Sequence, residues 1–481
     1  MARLYPFRAL RYDPNRVNLH DVVTQPYDKI SPAMQDAYYE ASPYNLIRVI
    51  LGNHHDGDTD AENVYTRAAA TLNEWRAEGI LREEAEPALY GYSQTYTVPG
   101  TDEVRERRGF IALGHLYDYA DHVVYRHEQT FPKHKSDRLA LFKATRAYCE
   151  QIYMLYSDPT FTAEDLIFGA KNPDAKTTKA ADLEITDEYG VQHRVWKLTD
   201  PALIQQVLAA MEDKKLIIAD GHHRYETSVG YMHERAAELG IDTPSALPGI
   251  DRASALPGVE GGFSPLSQPA TDTGFSPGQA TTALPVPAFP EAAMMMTFVN
   301  MDAPGITILP THRVVFGLSD FSGKKFVEVA APFFSAQEIP ATDAAILLKR
   351  LGETDGVAIV AATKDGNYLL RAKPDAIDAA LSSLSPHQRE LDVVQLHKIV
   401  LEKILLLDEA TVRAGSNVRY LREAPEALAQ VVSGDADVAF LIKPVTLKQM
   451  EDVSLNLEVM PQKSTDFYPK LLSGLAMYTL D

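Results

Sequence analysis

The stretch from Ile241 to Pro290 does most to limit what this chain can become. It is dense in Pro, Gly, Ser, Thr and Ala, and it duplicates itself: Ser245-Ala-Leu-Pro-Gly249 returns as Ser254-Ala-Leu-Pro-Gly258, and Gly262-Phe-Ser-Pro265 returns as Gly274-Phe-Ser-Pro277. Such a segment buries too little apolar surface to offset the entropy of ordering it. It is expected to be a mobile insertion or linker, with an ordered functional lid as the other reading. The chain then divides into an N-terminal α/β region at 1–240, the insertion at 241–290, and a C-terminal α/β region at 291–481 that can complete the same core.

With 481 residues, 45% of them hydrophobic and 23% charged, the composition is that of a globular protein with more than one ordinary core. Charged residues from Arg3 to Lys29 interrupt any signal-like apolar run, and no later run reaches the roughly 18 apolar residues of a membrane span. A soluble, cytoplasmic protein without membrane contact is expected. The single cysteine, Cys149, excludes an intramolecular disulfide and a thiolate metal cluster, and reads as a small core residue. A net charge of -20 disfavours nucleic acid, which needs a positive surface, yet leaves room for a small phosphorylated ligand in a local basic pocket.

Periodicity predicts a mixed α/β fold of the α+β class. An amphipathic helix is expected over Asp60 to Gly79, with Val64, Ala68, Leu72 and Trp75 on one side. Strands are expected at Leu89 to Val98 and Phe110 to Tyr117. A helix from Pro201 to Met211, turning Leu203, Val207 and Leu208 inward, leads to a strand at Leu216 to Ala219 and then a helix from Tyr225 to Leu239. Beyond the insertion, strands at Met294 to Asn300 and Ile306 to Val315 flank a turn at Asp302-Ala-Pro-Gly305. A hairpin is expected at Val357 to Ala361 and Asn367 to Arg371 through Asp365-Gly366, followed by helices at Leu391 to Leu407 and around Leu447 to Val453.

The richest chemistry falls at the end of the apolar run Leu216 to Ala219, in Asp220-Gly221-His222-His223-Arg224-Tyr225. Gly221 permits a tight turn, and the first helical N–H groups after it lack intrahelical partners, which makes an anion site by geometry and dipole. Arg224 can hold phosphate oxygens, His222 and His223 offer neutral or cationic donors, and Asp220 can orient a histidine or hold magnesium. The plainer alternative is a helix N-cap at Asp220 beside surface histidines.

A second cluster, His127-Glu128 followed by Lys133, Lys135 and Arg138, can supply a general base and phosphate clamps, or be a solvated charged loop before a helix that starts near Leu139. Gln25-Pro26-Tyr27-Asp28, after a short apolar strand Val22-Val23, is a third candidate, with a structural turn as the plainer reading. His54-His55 reads as a polar loop. Pro310-Thr311-His312-Arg313 can add positive charge to the pocket.

Pro6-Phe-Arg-Ala-Leu10, Pro26-Tyr27-Asp28, His127-Glu128, Lys135 to Leu139, Ala219 to Glu226 and Met460-Pro-Gln-Lys-Ser-Thr465 together resemble the family called domain of unknown function 1015, across nearly the whole chain outside the insertion. Separately, Gly221-His-His-Arg-Tyr225 resembles the phosphate-binding signature of the ParB/sulfiredoxin superfamily. Asp220 to Arg224 is the Asp-Gly-His-His-Arg string of its free-serine kinases. Position 222 is histidine where sulfiredoxins carry their nucleophilic cysteine, and nothing obvious supplies the helix-turn-helix of ParB.

The resemblance implies a ParB/sulfiredoxin-like nucleotide-binding core elaborated with additional strands and helices. It further implies ATP or ADP with Mg2+ as cofactors, with Gly221, His222, His223, Arg224, Tyr225, Lys133, Lys135 and Arg138 at the nucleotide and Asp220 at the metal. Glu128, with His127, Asp220 and His223, would then carry the chemistry. The expected activity is a nucleotide-dependent phosphotransferase acting on a small hydroxyl compound, free serine or O-phosphoserine first. A nucleotide-binding switch and a metal-dependent phosphatase are the competing readings.

Overall fold

Apolar strands with no polar face must be covered on both sides, and the chain meets that need by threading strands from distant segments into two sheets. The computed structural model describes residues 1–130, 132–169, 180–241 and 283–481. Among the described residues nine strands make the first sheet: β1 (Leu4–Tyr5), β2 (Leu89–Thr97), β3 (Val104–His115), β4 (Val124–Tyr125), β5 (Ile152–Tyr156), β6 (Leu183–Thr186), β7 (Gln192–Leu198), β8 (Leu216–Asp220) and β9 (Ala293–Asn300). Their order is β4-β8-β5-β9-β3-β2-β7-β6, with β1 paired to β3. The sheet is mixed: β8 runs parallel to β4 and β9 parallel to β5, while the other pairings are antiparallel.

All eight residues of β9 are buried, and the strand lies between β5 and β3. The segment after the insertion thus supplies an inner strand to the sheet that carries the Asp220 motif. The approach of β9 to β3 is close at Gly109, where a Cβ would sit 2.3 Å from the Phe298 carbonyl oxygen. Neither backbone can move without breaking the ladder, so Gly109→Ala is expected to cost about 1–3 kcal/mol. Urea denaturation of the two proteins measures it.

The second sheet is wholly antiparallel and lies within the residues after the insertion. Its strands are β10 (His312–Val315), β11 (Phe334–Ile339), β12 (Ala358–Thr363), β13 (Gly366–Ala372), β14 (Val418–Leu421) and β15 (Val438–Ile442), in the order β11-β13-β12-β15-β10-β14. The expected hairpin is β12–β13, turning at Gly366. One contiguous core joins the two sheets, with Tyr153 and Val299 from the first and Phe440 and Ile442 from the second in the same cluster.

Several expectations need correction. Ile306 to Val315 is not one strand: Thr307–Leu309 pairs with Asp466–Tyr468, while His312–Val315 enters the second sheet as β10. Pro310 between them has no N–H to give a ladder. Val22-Val23 is not a strand, because both N–H groups bond to the Leu19 carbonyl in a tight turn.

Helix α1 (Pro132–Thr145) starts well before Leu139, with proline in its first turn, where a missing N–H costs nothing. Helix α2 (Pro201–Met211) buries Ile204, Val207 and Met211, with Leu203 and Leu208 only partly covered. The helix expected at Leu391 to Leu407 is split into Asp392–Gln395 and a π-helix at Leu396–Ile404.

The helix from Val64 to Ala77 buries Val64, Ala68, Leu72 and Trp75 as the spacing predicts. Most of the segment read as a mobile insertion, 242–282, lies outside the described residues. At its described end Phe289 is buried and Leu284 packs against the core, so the anchored chain begins before Pro290. Among the described residues no helix is long and apolar enough to cross a membrane.

Candidate active site

Strand β8 is buried through Ala219 and emerges at Asp220. Gly221 follows with φ at 96°, a left-handed value that favours glycine, and helix α3 (His222–Leu239) starts at once. The cap residue has no side chain to offer, so no side chain caps the first helical turn. Gly221, His222, His223 and Arg224 form one wall of a cleft of about 60 Å³. Three other segments form the rest: Tyr27, Asp28 and Lys29; Glu128 and Gln129; and Gln462, Lys463, Thr465 and Lys470. That space holds a few water molecules, the scale of a phosphoryl group and not of a nucleoside.

Buried charge lines this cleft in compensated sets. Lys470 Nζ lies 3.2 Å from Asp220 Oδ1 and 3.0 Å from Asp466 Oδ1. Burial alone would raise both carboxyls. For Asp220, Lys470, Arg224 and Lys29 override it, and for Asp466 Lys470, Lys29 and Arg422 do the same, so both are held well below the usual carboxylate range. Arg224 donates to the Gln151 carbonyl at 2.6 Å and to Asp220 Oδ2 at 3.3 Å, and lies 3.8 Å from Glu150. The Lys463 ammonium has no ion-pair partner within 4 Å among the described residues, although its charge acts on the Glu128 carboxyl.

Glu128 belongs to a bridge that pins the 460s loop to the first sheet: the His127 carbonyl accepts from Met460 N–H at 2.8 Å, and Glu128 Oε1 accepts from Lys463 N–H at 2.5 Å. Burial pushes the Glu128 carboxyl up from its ordinary value against the pull of Lys463. His127 stands behind the cleft wall. Its Nε2 is 2.8 Å from Thr465 Oγ1, and its ring meets that of His222 edge-on at 4.6 Å. Burial lowers His127 well below the usual imidazole value and pushes His222 down to about 3, so both rings are neutral at pH 7 and His222 is no cationic donor.

The expected site residues thus separate. Glu128, Asp220, Gly221, His222, His223 and Arg224 share the cleft. His127 supports it from behind. Lys135 is ion-paired with Glu226. Arg138 is buried, pairs with Glu150 at 3.7 Å and lies over the Tyr27 ring at 4.1 Å. Tyr225 is buried and donates to the Tyr117 carbonyl at 2.9 Å. None of these three lines the cleft; they brace its walls. The Lys133 side chain lies outside the described residues.

Asp28, in the third candidate string, is in the cleft wall together with Tyr27. Arg313 adds no charge to the cleft surface. It is buried, and it fastens the loop from behind by donating to the carbonyls of Gln462 and Lys463 at 3.2 and 3.1 Å.

Lys29, Lys463 and Lys470 are cleft residues that the sequence does not single out, although Lys463 lies within the Met460 to Thr465 string. Lone lysines in turns carry no spacing signal. The assignment of magnesium to Asp220 does not fit its surroundings, since both of its oxygens are already bonded to Lys470 and Arg224. Among the described residues no three His, Cys, Asp or Glu side chains come together to hold a metal ion. Cys149 is buried, with its thiol pushed up to about 12 by burial.

A family model described as "Protein of unknown function (DUF1015)" matches residues 4–247 and 286–394. No curated protein matches the chain. Solved structures similar to it include a free serine kinase in complex with AMP, at 11% identity over 75% of this chain and 86% of that one, with a TM-score of 0.31. SbnI with C-terminal truncation from Staphylococcus aureus is similar at 11% identity over 76% of this chain and 85% of that one, with a TM-score of 0.34. A conserved hypothetical protein from Pyrococcus furiosus is similar at 11% identity over 76% and 92%, with a TM-score of 0.32.

Proposed function

The chain belongs to the DUF1015 family, whose description names no chemistry, and from the cleft itself we propose a nucleotide-dependent phosphotransferase acting on a small hydroxyl compound. One observation carries the reading: the Glu128 carboxylate shares a phosphate-sized cleft with an uncapped helix N-terminus and three lysines. The Asp-Gly-His-His-Arg resemblance to free-serine kinases points the same way. It also supports reading the β8–Gly221–α3 turn as the centre of a ParB/sulfiredoxin-like core.

In this reading ATP or ADP presents its terminal phosphoryl group to the N–H groups of α3, with Lys463 offsetting its charge while Lys29 and Lys470, paired with Asp466 and Asp220, hold the wall. The acceptor hydroxyl gives its proton to Glu128 as its oxygen bonds to phosphorus. The bridging P–O bond breaks, and the departing nucleotide keeps the electron pair. A carboxyl raised by burial is a stronger base than an ordinary one. The acid limb of kcat/KM is therefore expected above the ordinary glutamate value of about 4.3. Regions 1–240 and 291–481 act as one catalytic body here, because the cleft draws on both.

Incubating the full chain with ATP, ADP or CTP, magnesium, and serine or phosphoserine tests the proposal by phosphorus NMR of the products. Tight nucleotide binding with no transfer to any alcohol would leave a binding switch instead. Lys463→Ala removes one unpaired charge from the cleft, so nucleotide affinity is expected to fall about ten- to a hundredfold with the unfolding midpoint unchanged. Calorimetric titration and a thermal melt read the two effects separately.

A further inference from the structure

Two cavities share lining residues with the phosphate cleft. One, of about 360 Å³, shares Lys29, Lys463, Thr465 and Lys470 with the cleft and adds Tyr189 and Tyr468. Its size and aromatic rings suit a nucleoside. The other, of about 140 Å³, shares Gln129 and Gln462 with the cleft. Gln129 is the neighbour of Glu128 in the chain. The two outer cavities share only Tyr420.

The smaller cavity has a mixed lining, in which an apolar set of side chains stands beside the polar Gln388, His397, Glu402 and Glu409. Leu384, Val394, Val412, Val459 and Met460 line it, with Val394, Val412 and Met460 buried. Its one lysine, Lys398, is tied to Glu402 at 2.7 Å and Glu409 at 3.3 Å. His397, Lys398 and Glu402 all come from the π-helix Leu396–Ile404, a geometry often kept where a helix must shape a site. A cavity of this size has room for a molecule of roughly the bulk of benzene.

Resting on the phosphotransferase reading above, we propose that this cavity is the acceptor pocket and that the acceptor is an alcohol with an apolar body of about six carbons. The acceptor enters past Gln129 and Gln462, its hydroxyl at Glu128 and its hydrocarbon among Val394, Val412 and Met460. The nucleotide reaches the cleft from the tyrosine-lined side. The phosphoryl group then passes between two ligands that never compete for space. Free serine, with no apolar body, leaves the pocket unfilled.

The test runs the full chain with its best nucleotide donor against serine and the primary alcohols from ethanol to 1-octanol. Each methylene buried is expected to raise kcat/KM about fourfold up to about six carbons, with no gain beyond. Leu384→Trp, at the half-buried rim, is expected to abolish that chain-length dependence with nucleotide affinity unchanged; Val459→Trp gives the same reading if the first variant misfolds. Saturation-transfer NMR with 1-hexanol reads occupancy without chemistry. Transfer to serine with no preference for longer alcohols and no hexanol signal would overturn the pocket assignment while the phosphotransferase stands. A hexanol signal lost in Leu384→Trp, with no transfer to any alcohol, would support the pocket and sink the reaction instead.

Discussion

Glu128→Gln is expected to lower turnover by about 10²–10⁴ while nucleotide affinity stays within about twofold. The substitution is a clean one for this site. Gln keeps Oε1 as an acceptor, so the bond from Lys463 N–H that pins the 460s loop survives. Only the ability to take a proton is removed. If Glu128 served merely to hold that loop, the variant would retain full activity, and single-turnover phosphoryl transfer would show it. If the carboxylate instead held a metal at the nucleotide, affinity would fall together with turnover.

Lys470→Met is expected to be the most damaging single change to stability, at about 3 kcal/mol. The lysine is 7% exposed and stands between two carboxylates, Asp220 and Asp466. Methionine fills the volume but leaves both carboxylates short of a partner. The loss falls at the low end for a broken buried pair because Arg224 still reaches Asp220 and Arg422 still reaches Asp466 at 2.7 Å.

The pH dependence has a definite sign. Carboxyls held below their unfolded value near 3.9 contribute stability that is present above that pH and lost as pH falls toward their folded values. Removing Lys470 raises the folded values and shrinks that contribution. The gap between wild type and Lys470→Met in urea midpoint should therefore be full at pH 7 and narrow below about pH 4. A gap independent of pH would mean that the lysine acts through packing alone.

The motif at Asp220 is legible in the sequence because three local rules agree there: a wholly apolar strand, a glycine where a left-handed turn is needed, and a helix with amphipathic spacing. Glu128 is legible as a chemical type but not as a neighbour, since nothing in a single sequence says that residue 128 and residue 463 touch. The same gap hides Lys29 and Lys470. Lys29 reaches Asp466 and Lys470 reaches Asp220 across more than two hundred residues, and although Asp466 lies only four residues before Lys470, a lysine in a turn looks like any solvated lysine until Asp220 is beside it. Arg138 and Lys135 mislead for the opposite reason. Their charge is plain, but Asp137 and Glu150 consume that of Arg138 and Glu226 that of Lys135. The broken strand at Ile306 to Val315 is in principle readable, because Pro310 interrupts it. The π-helix is not, because its pattern of apolar residues is that of an ordinary helix.

The position of β9 between β5 and β3 bears on how the protein is made. A chain leaving the ribosome has already emitted Asp220 to Arg224 when it emits the insertion, and at that moment β3 and β5 each expose an unpaired edge. Synthesis at about 5–20 residues per second keeps those edges bare for seconds before Ala293–Asn300 arrives to bridge them. Until then the first sheet stays open, and the wall of the cleft that carries Lys463 and Lys470 is made later still. A long segment poor in apolar residues is a safe thing to be extruding during that interval, since it offers the waiting edges little to pair with wrongly.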